Sequence, residues 1–109
     1  MEKNHYGLTS FSLSFQETEA AIEVRYRDWS IRSSIGLDNG FRTTDLAENG
    51  TLAERGRWVD DHTFELDEQF LGSSSRNQTR FVFEGSRVEV TVKGLDSGSL
   101  NIFRGLLAP

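Results

Sequence analysis

The stretch from Gly56 to Val92 constrains the fold most, because it reads as two antiparallel hairpins whose registers can be tested against their own charges. In the second hairpin, Gly85-Ser86 is typical of a two-residue turn with glycine in the first central position. The pairs that this turn predicts are Phe83 with Val88, Phe81 with Val90, Thr79 with Val92 and Glu84 with Arg87. Apolar residues therefore meet on one face, and opposite charges meet on the other.

The first hairpin closes over Asp60-Asp61-His62 and passes the same test. Its predicted pairs are Trp58 with Phe64, Gly56 with Leu66, Arg57 with Glu65 and Arg55 with Asp67. A slip of one residue would turn every side chain to the other face and destroy both patterns. The sequence therefore predicts antiparallel pairing in this part of the chain.

Alternation of apolar and polar residues predicts further strands on both sides of these hairpins. They lie around residues 11–15, 22–26, 29–35, 41–44 and 100–104. Phe15 is expected opposite Ile22, and Leu100 opposite Val92. The predicted inward-facing residues are Phe11, Leu13, Phe15, Ile22, Val24, Tyr26, Trp29, Ile31, Ile35, Trp58, Phe64, Leu66, Phe70, Phe81, Phe83, Val88, Val90, Val92, Leu100 and Ile102.

Eight or nine strands joined mostly by short connections predict an all-β antiparallel meander. Such a meander tends to close into an up-and-down barrel, because closure removes unpaired edges. A two-sheet β-sandwich is the alternative. A chain of 109 residues is expected to form one domain over residues 1–109, with residues 105–109 as a tail.

Composition excludes several classes of function. The net charge is −5, and the basic residues are scattered, so nucleic acid is not an expected partner. With no cysteine and only two histidines, no metal site or cofactor is expected. No apolar run approaches the ~18 residues of a membrane span, and no signal peptide is recognised. The lack of cysteine fits a reducing compartment and also a disulfide-free exported protein.

Glu54 and Glu68 are the most distinctive candidate site. The hairpin register places them opposite each other, on the inward face. Two carboxyl groups placed so could share a proton, bind a metal or flank a substrate, or they could be solvated or paired with an arginine. Tyr26, Trp29 and Trp58 are candidates to line a ligand cavity, and filling the core is the alternative for them.

No catalytic residue is predicted from a motif. His62, its neighbours Asp60 and Asp61, and the serines at 73–75 are the residue types of a catalytic triad, but no motif supplies a positioned base or an oxyanion hole. Asp60-Asp61-His62 is therefore interpreted as a polar hairpin tip. A small enzyme that uses Glu54 and Glu68 stays as a third hypothesis.

Three stretches resemble a known family. They are residues 4–8 with the strand that follows them, Gly56–Phe64, which fits G-x-W-x-D-x-x-T-F, and Phe81–Val88, which fits F-x-F-x-G-x-x-V. Together they resemble the C-terminal accessory domain that follows the catalytic domain in some bacterial serine hydrolases of the β-lactamase and penicillin-binding-protein type. The similarity covers most of the chain.

The resemblance implies a small lipocalin-like antiparallel barrel or sandwich that is not catalytic itself. The family's Ser-x-x-Lys motif is absent here, because neither Lys3 nor Lys93 follows a serine by three residues. The implied role is an interaction domain whose partner is a serine-hydrolase catalytic domain in the same protein, or a second copy. The expected outer apolar patch comprises Leu37, Leu71, Val82, Phe103, Leu106 and Leu107. The alternative function is a lipocalin-like binder of small molecules, which requires a hollow interior.

Overall fold

The computed structural model describes residues 8–46, 50–71, 75–96 and 98–106, and nine β-strands account for most of them. The strands are β1 Leu8–Phe15, β2 Glu19–Tyr26, β3 Ser30–Gly36, β4 Arg42–Asp45, β5 Thr51–Trp58, β6 Thr63–Leu71, β7 Arg76–Glu84, β8 Arg87–Gly94 and β9 Leu100–Leu106. The predicted all-β class is confirmed. Residues 4–7, Ser73, Ser74, Leu107 and the last two residues lie outside the described ranges.

The strands form one curled sheet in the shape of a half-barrel, with the order β1-β2-β3-β5-β6-β7-β8-β9. Neighbouring strands are antiparallel except β3 and β5, which make a parallel contact at Gly36 and Arg55. β4 is only four residues long and pairs with residues 51–54 of β5. The rest of that edge of β5 is therefore free for β3, and the meander skips β4.

The interior is formed where β1 folds over β6 and β7. The ring of Phe11 lies 5.2 Å from that of Phe81, and the ring of Phe15 lies 5.3 Å from that of Phe64. The buried core comprises Ala20, Ile22, Ile35, Phe64, Leu66, Phe81, Val88 and Val90. Apart from Ala20, all of these belong to the predicted inward set.

Two glycines permit close approaches that this curl requires. A Cβ atom at Gly56 would lie 2.4 Å from Cζ of Phe64, so the absence of a side chain lets that ring pack on the backbone of β5. A Cβ atom at Gly36 would lie 1.6 Å from the carbonyl oxygen of Gly40. The end of β3 can therefore approach the chain that leads into β4 only because residue 36 is glycine.

The registers of the two central hairpins are confirmed pair for pair. The predicted register of β1 with β2 is wrong by two residues, since Leu13 rather than Phe15 lies opposite Ile22. The amide of Gln16 donates to the carbonyl of Glu19 at 2.8 Å, which makes the turn tighter than the predicted four-residue loop. A shift of two residues preserves the inward face, because side chains alternate with period two.

The predicted register of β9 is wrong by one residue, and the error changes the face. Asn101, not Leu100, pairs with Val92. Leu100 and Ile102 therefore lie on the outer face, 60% and 47% exposed. Phe103, expected outside, instead packs against the core. β9 also continues to Leu106, so residues 105 and 106 belong to a strand rather than to the predicted tail.

Three aromatic residues of the predicted inward set are only partly covered. Phe15, Trp29 and Trp58 are 43%, 53% and 48% exposed. Each lies at or beside the end of a strand, where the half-barrel is open to solvent. Trp58 still packs at 5.2 Å from the ring of Phe64. Leu37, expected on the outer surface, packs against the core, whereas Leu71 and Leu106 are exposed as predicted.

Candidate ligand-binding cavity

The half-barrel is partly hollow. An interior cavity of about 440 Å³ lies between its strands, and most of its wall is apolar. Side chains in this wall include Ile22, Val24, Leu66, Phe81, Val90 and Val92. The aromatic cluster around Phe64 and Trp58 lies outside the cavity lining. Aromatic rings around Phe64 therefore fill one part of the interior, and the cavity occupies another part.

Glu54 and Glu68 lie in the cavity wall and form what we call the carboxyl pair. They are directly opposite in the β5–β6 register, and the two carboxyl groups influence each other's pKa. Glu54 is only 2% exposed. Because carboxylates only accept hydrogen bonds, a hydrogen bond between two carboxyl groups requires a proton on one of them. Two carboxyl groups placed in this way can share a proton.

Burial is the main cause of the unusual acidity of the carboxyl pair. It raises the pKa of Glu54 to about 8, and the charge of Glu68 contributes in the same direction. Burial also raises the pKa of Glu68. Below about pH 8 the carboxyl pair therefore holds at least one proton, as expected when two carboxyl groups share an apolar site.

Two hydroxyl groups orient the carboxyl pair from the neighbouring strands. Ser33 on β3 donates a hydrogen bond to Oε1 of Glu54, and Thr79 on β7 donates to Oε1 of Glu68 at 2.8 Å. Both hydroxyl groups belong to buried residues. The carboxyl groups are therefore held in place by neutral donors, which fix their orientation without neutralising their charge.

The expected alternative, an arginine paired with Glu54 or Glu68, does not occur. Among the described residues, none in the cavity lining is lysine, arginine or histidine. Arg42, which lies opposite Glu54 in the β4–β5 register, directs its guanidinium to Asp38 at 3.0 Å. Arg57 and Arg80 bind Glu65 on the outer face of the sheet. The negative charge in the cavity is not balanced by a side chain of the lining.

Tyr26 also lies in the cavity wall, whereas Trp29 and Trp58 do not. The ring of Trp29 stacks on that of Tyr26, with centroids 4.2 Å apart and planes 12° apart. Burial, and secondarily the charge of Glu68, raise the pKa of the Tyr26 hydroxyl. Tyr26 therefore stays a neutral phenol in the cavity, and Trp29 supports its ring from the solvent side.

Sequence reasoning missed Ser33 and Thr79. Both stand at inward positions of their strands, Ser33 between Ile31 and Ile35, and Thr79 opposite Val92. A polar residue at a position that alternation assigns to the core needs a hydrogen-bond partner. That pattern could have identified the residues that hold the carboxyl pair.

The other candidate motif is a hairpin tip. The backbone amide of His62 donates to Oδ1 of Asp60 at 2.8 Å, and both residues are exposed. Within the described ranges, no group of three or more histidine, cysteine, aspartate or glutamate side chains could hold a metal ion. No helix that could cross a membrane occurs in the part of the chain that the structure describes.

The fold and the site together define a class of protein, an all-β half-barrel with an acidic pair in an apolar interior cavity. The chain matches no family model, no curated protein and no solved structure.

Proposed function

We propose that this chain binds a small, largely apolar molecule inside its half-barrel. The observation that supports the proposal is the interior cavity of about 440 Å³ with its apolar wall. Sites for small molecules usually enclose roughly 300–1,000 Å³ and combine an apolar lining with a few oriented polar groups. The carboxyl pair and Tyr26 are those polar groups here.

The energetics favour an occupied cavity. A ligand in the cavity makes van der Waals contacts with the apolar wall and removes its own apolar surface from water, at roughly 25 cal/mol for each Å² buried. Binding to the folded state alone also stabilises the fold.

The neutral fluorescent probe N-phenyl-1-naphthylamine is expected to bind this cavity with enhanced emission. Val92→Trp, which adds a bulky side chain to the cavity wall, is expected to weaken binding about fivefold or more, since it fills space that the probe needs. The control is Thr91→Trp, because residue 91 points to the opposite face of β8. Fluorescence titration gives the Kd values. Equal weakening by both variants, or no binding by the parent chain, would contradict the proposal.

A second candidate function is the interaction domain that the family resemblance implies. The observation that favours it is the outer face of β9, where Leu100, Ile102 and Leu106 are all exposed at one end of the strand order. Exposed apolar residues on an edge strand are typical of a surface that pairs with another chain. The implied partner is a serine-hydrolase catalytic domain, and in its absence a second copy of this chain could cover the same face.

Sedimentation velocity over a range of concentrations tests self-association through this face. We expect a concentration-dependent dimer that Ile102→Lys weakens about tenfold or more, because a charge on the outer face of β9 would be buried in the contact. Ser12→Lys, on the exposed face of the other end strand β1, serves as the control. Dimerisation that Ile102→Lys leaves unchanged would show that the outer face of β9 is not the contact.

A further inference from the structure

We propose that the ligand of the interior cavity is a monocation, an apolar body that carries one ammonium group, and that the ammonium binds the carboxyl pair. This inference rests on the proposed small-molecule function and specifies the ligand's chemistry. It is carried by the cavity, by the position of the carboxyl pair in its wall and by the lack of a cationic side chain among the described residues of the lining.

The charge of the cavity gives the first argument. When it holds one proton, the carboxyl pair carries a single negative charge in a mostly apolar space. A buried charge without a partner is costly, and a bound cation offsets that cost. A ligand with one positive charge makes the site neutral. A carboxylate ligand would instead place a second anion beside the first.

The groups that face the carboxyl pair give the second argument. Ser33 on β3 and Thr79 on β7 donate to it, and the neutral hydroxyl of Tyr26 lies in the same wall on β2. Asn77, opposite Glu68 on β7, is uncharged as well. Arg42, on β4, binds Asp38 instead. Among the described residues, β2, β3 and β7 thus contribute neutral groups next to the carboxyl pair, and a ligand can supply the matching cation.

The arrangement of the carboxyl oxygens gives the third argument. Ser33 donates to Oε1 of Glu54, and Thr79 donates to Oε1 of Glu68. An ammonium group has up to three donors and can contact both carboxyl groups at once. The aromatic ring of Tyr26 adds a surface that favours a cation near its face.

Three ligands with the same apolar chain and different head groups test the inference: octylammonium, 1-octanol and octanoate. Isothermal titration calorimetry of the whole chain near pH 7.5 is expected to give a Kd for octylammonium about tenfold or more below that of 1-octanol. Octanoate is expected to bind most weakly. The double variant Glu54→Gln/Glu68→Gln should lose the preference for octylammonium and keep its affinity for 1-octanol.

The pH dependence of binding to the parent chain is a second test, and it does not require that the double variant folds. The affinity for octylammonium is expected to rise about fivefold or more from about pH 6.5 to pH 9, because Glu54, whose pKa is raised to about 8, loses its proton over this range while a primary ammonium, like a lysine side chain, stays charged. The affinity for 1-octanol is expected to stay constant.

The outcomes separate the inference from the proposed function. Similar affinities for octylammonium and 1-octanol, or no effect of pH, would overturn the inference while leaving the cavity as a binding site. Failure of the neutral probe and of all three octyl ligands would overturn both. Retention of the octylammonium preference in the double variant would show that another group binds the cation, and would also overturn the inference.

Discussion

Glu54→Gln is expected to raise the free energy of unfolding by several kcal/mol near pH 9 and to leave it nearly unchanged near pH 5. Burial raises the pKa of Glu54 to about 8 in the folded chain, above its ordinary value of 4.5. The folded state therefore holds this proton more tightly than the unfolded state. The stabilising contribution is complete below about pH 4.5 and is lost as the pH rises through about 8, at about 1.4 kcal/mol for each pH unit between them.

Glutamine reproduces the protonated form of Glu54, because its amide can accept from Ser33 and donate to Glu68. Urea unfolding at a series of pH values measures the effect. Glu89→Gln is the control, since it removes an exposed carboxyl group that is paired with Arg104 on the outer face. A parent chain as stable at pH 9 as at pH 5, or a Glu54→Gln variant with the parent's pH profile, would show that Glu54 is not buried as a proton-sharing partner.

Phe64→Ala is expected to lower the free energy of unfolding by about 3–5 kcal/mol, the usual loss for a fully buried aromatic ring. Phe64 is 0% exposed, and its ring lies 5.3 Å from that of Phe15 and 5.2 Å from that of Trp58. It also covers Gly56, which has no side chain to fill the space that the ring would leave. Urea unfolding of the variant and the parent chain at the same pH measures this loss, because the carboxyl pair contributes equally to both.

Phe41→Ala makes the same chemical change at a site that is 41% exposed, where the ring lies 4.6 Å from the guanidinium carbon of Arg55. We expect a loss of about 1 kcal/mol or less there, mainly from the cation–π contact. Comparable losses in the two variants would mean that Phe64 does not occupy the centre of the core.

The strand registers that could be predicted are those that two independent patterns specify, one of apolar pairs and one of charge pairs. Along β5 to β8, apolar pairs and charge pairs each fix the alignment, and the structure retains both, for example Arg57 with Glu65 at 2.8 Å. β9 carries apolar residues on both faces, so its apolar pattern alone favoured a register that turns the wrong face inward. The pair of Arg104 with Glu89, at 3.2 Å, exists only in the observed register. That charge pair was the pattern in the sequence that could have corrected the prediction.

The carboxyl pair followed from the β5–β6 register, but its surroundings did not. Ser33 reaches Glu54 because β3 bypasses β4 and contacts β5 beside Gly36. Residues 37–50, which include β4, separate these two strands, and no local pattern predicts their contact. The volume of the cavity depends on how tightly the sheet curls, which side-chain alternation does not specify.

The order of strand pairing bears on how fast this chain folds. Every pair of neighbouring strands except β3 and β5 is consecutive in sequence, so most of the sheet can grow by adding one adjacent strand at a time. Short loops close at little entropic cost, and local contacts are associated with fast folding. The contact of β3 with β5 has to enclose all of β4, and it also brings Ser33 beside Glu54. The same late closure would thus complete both the curl of the sheet and the polar wall of the cavity.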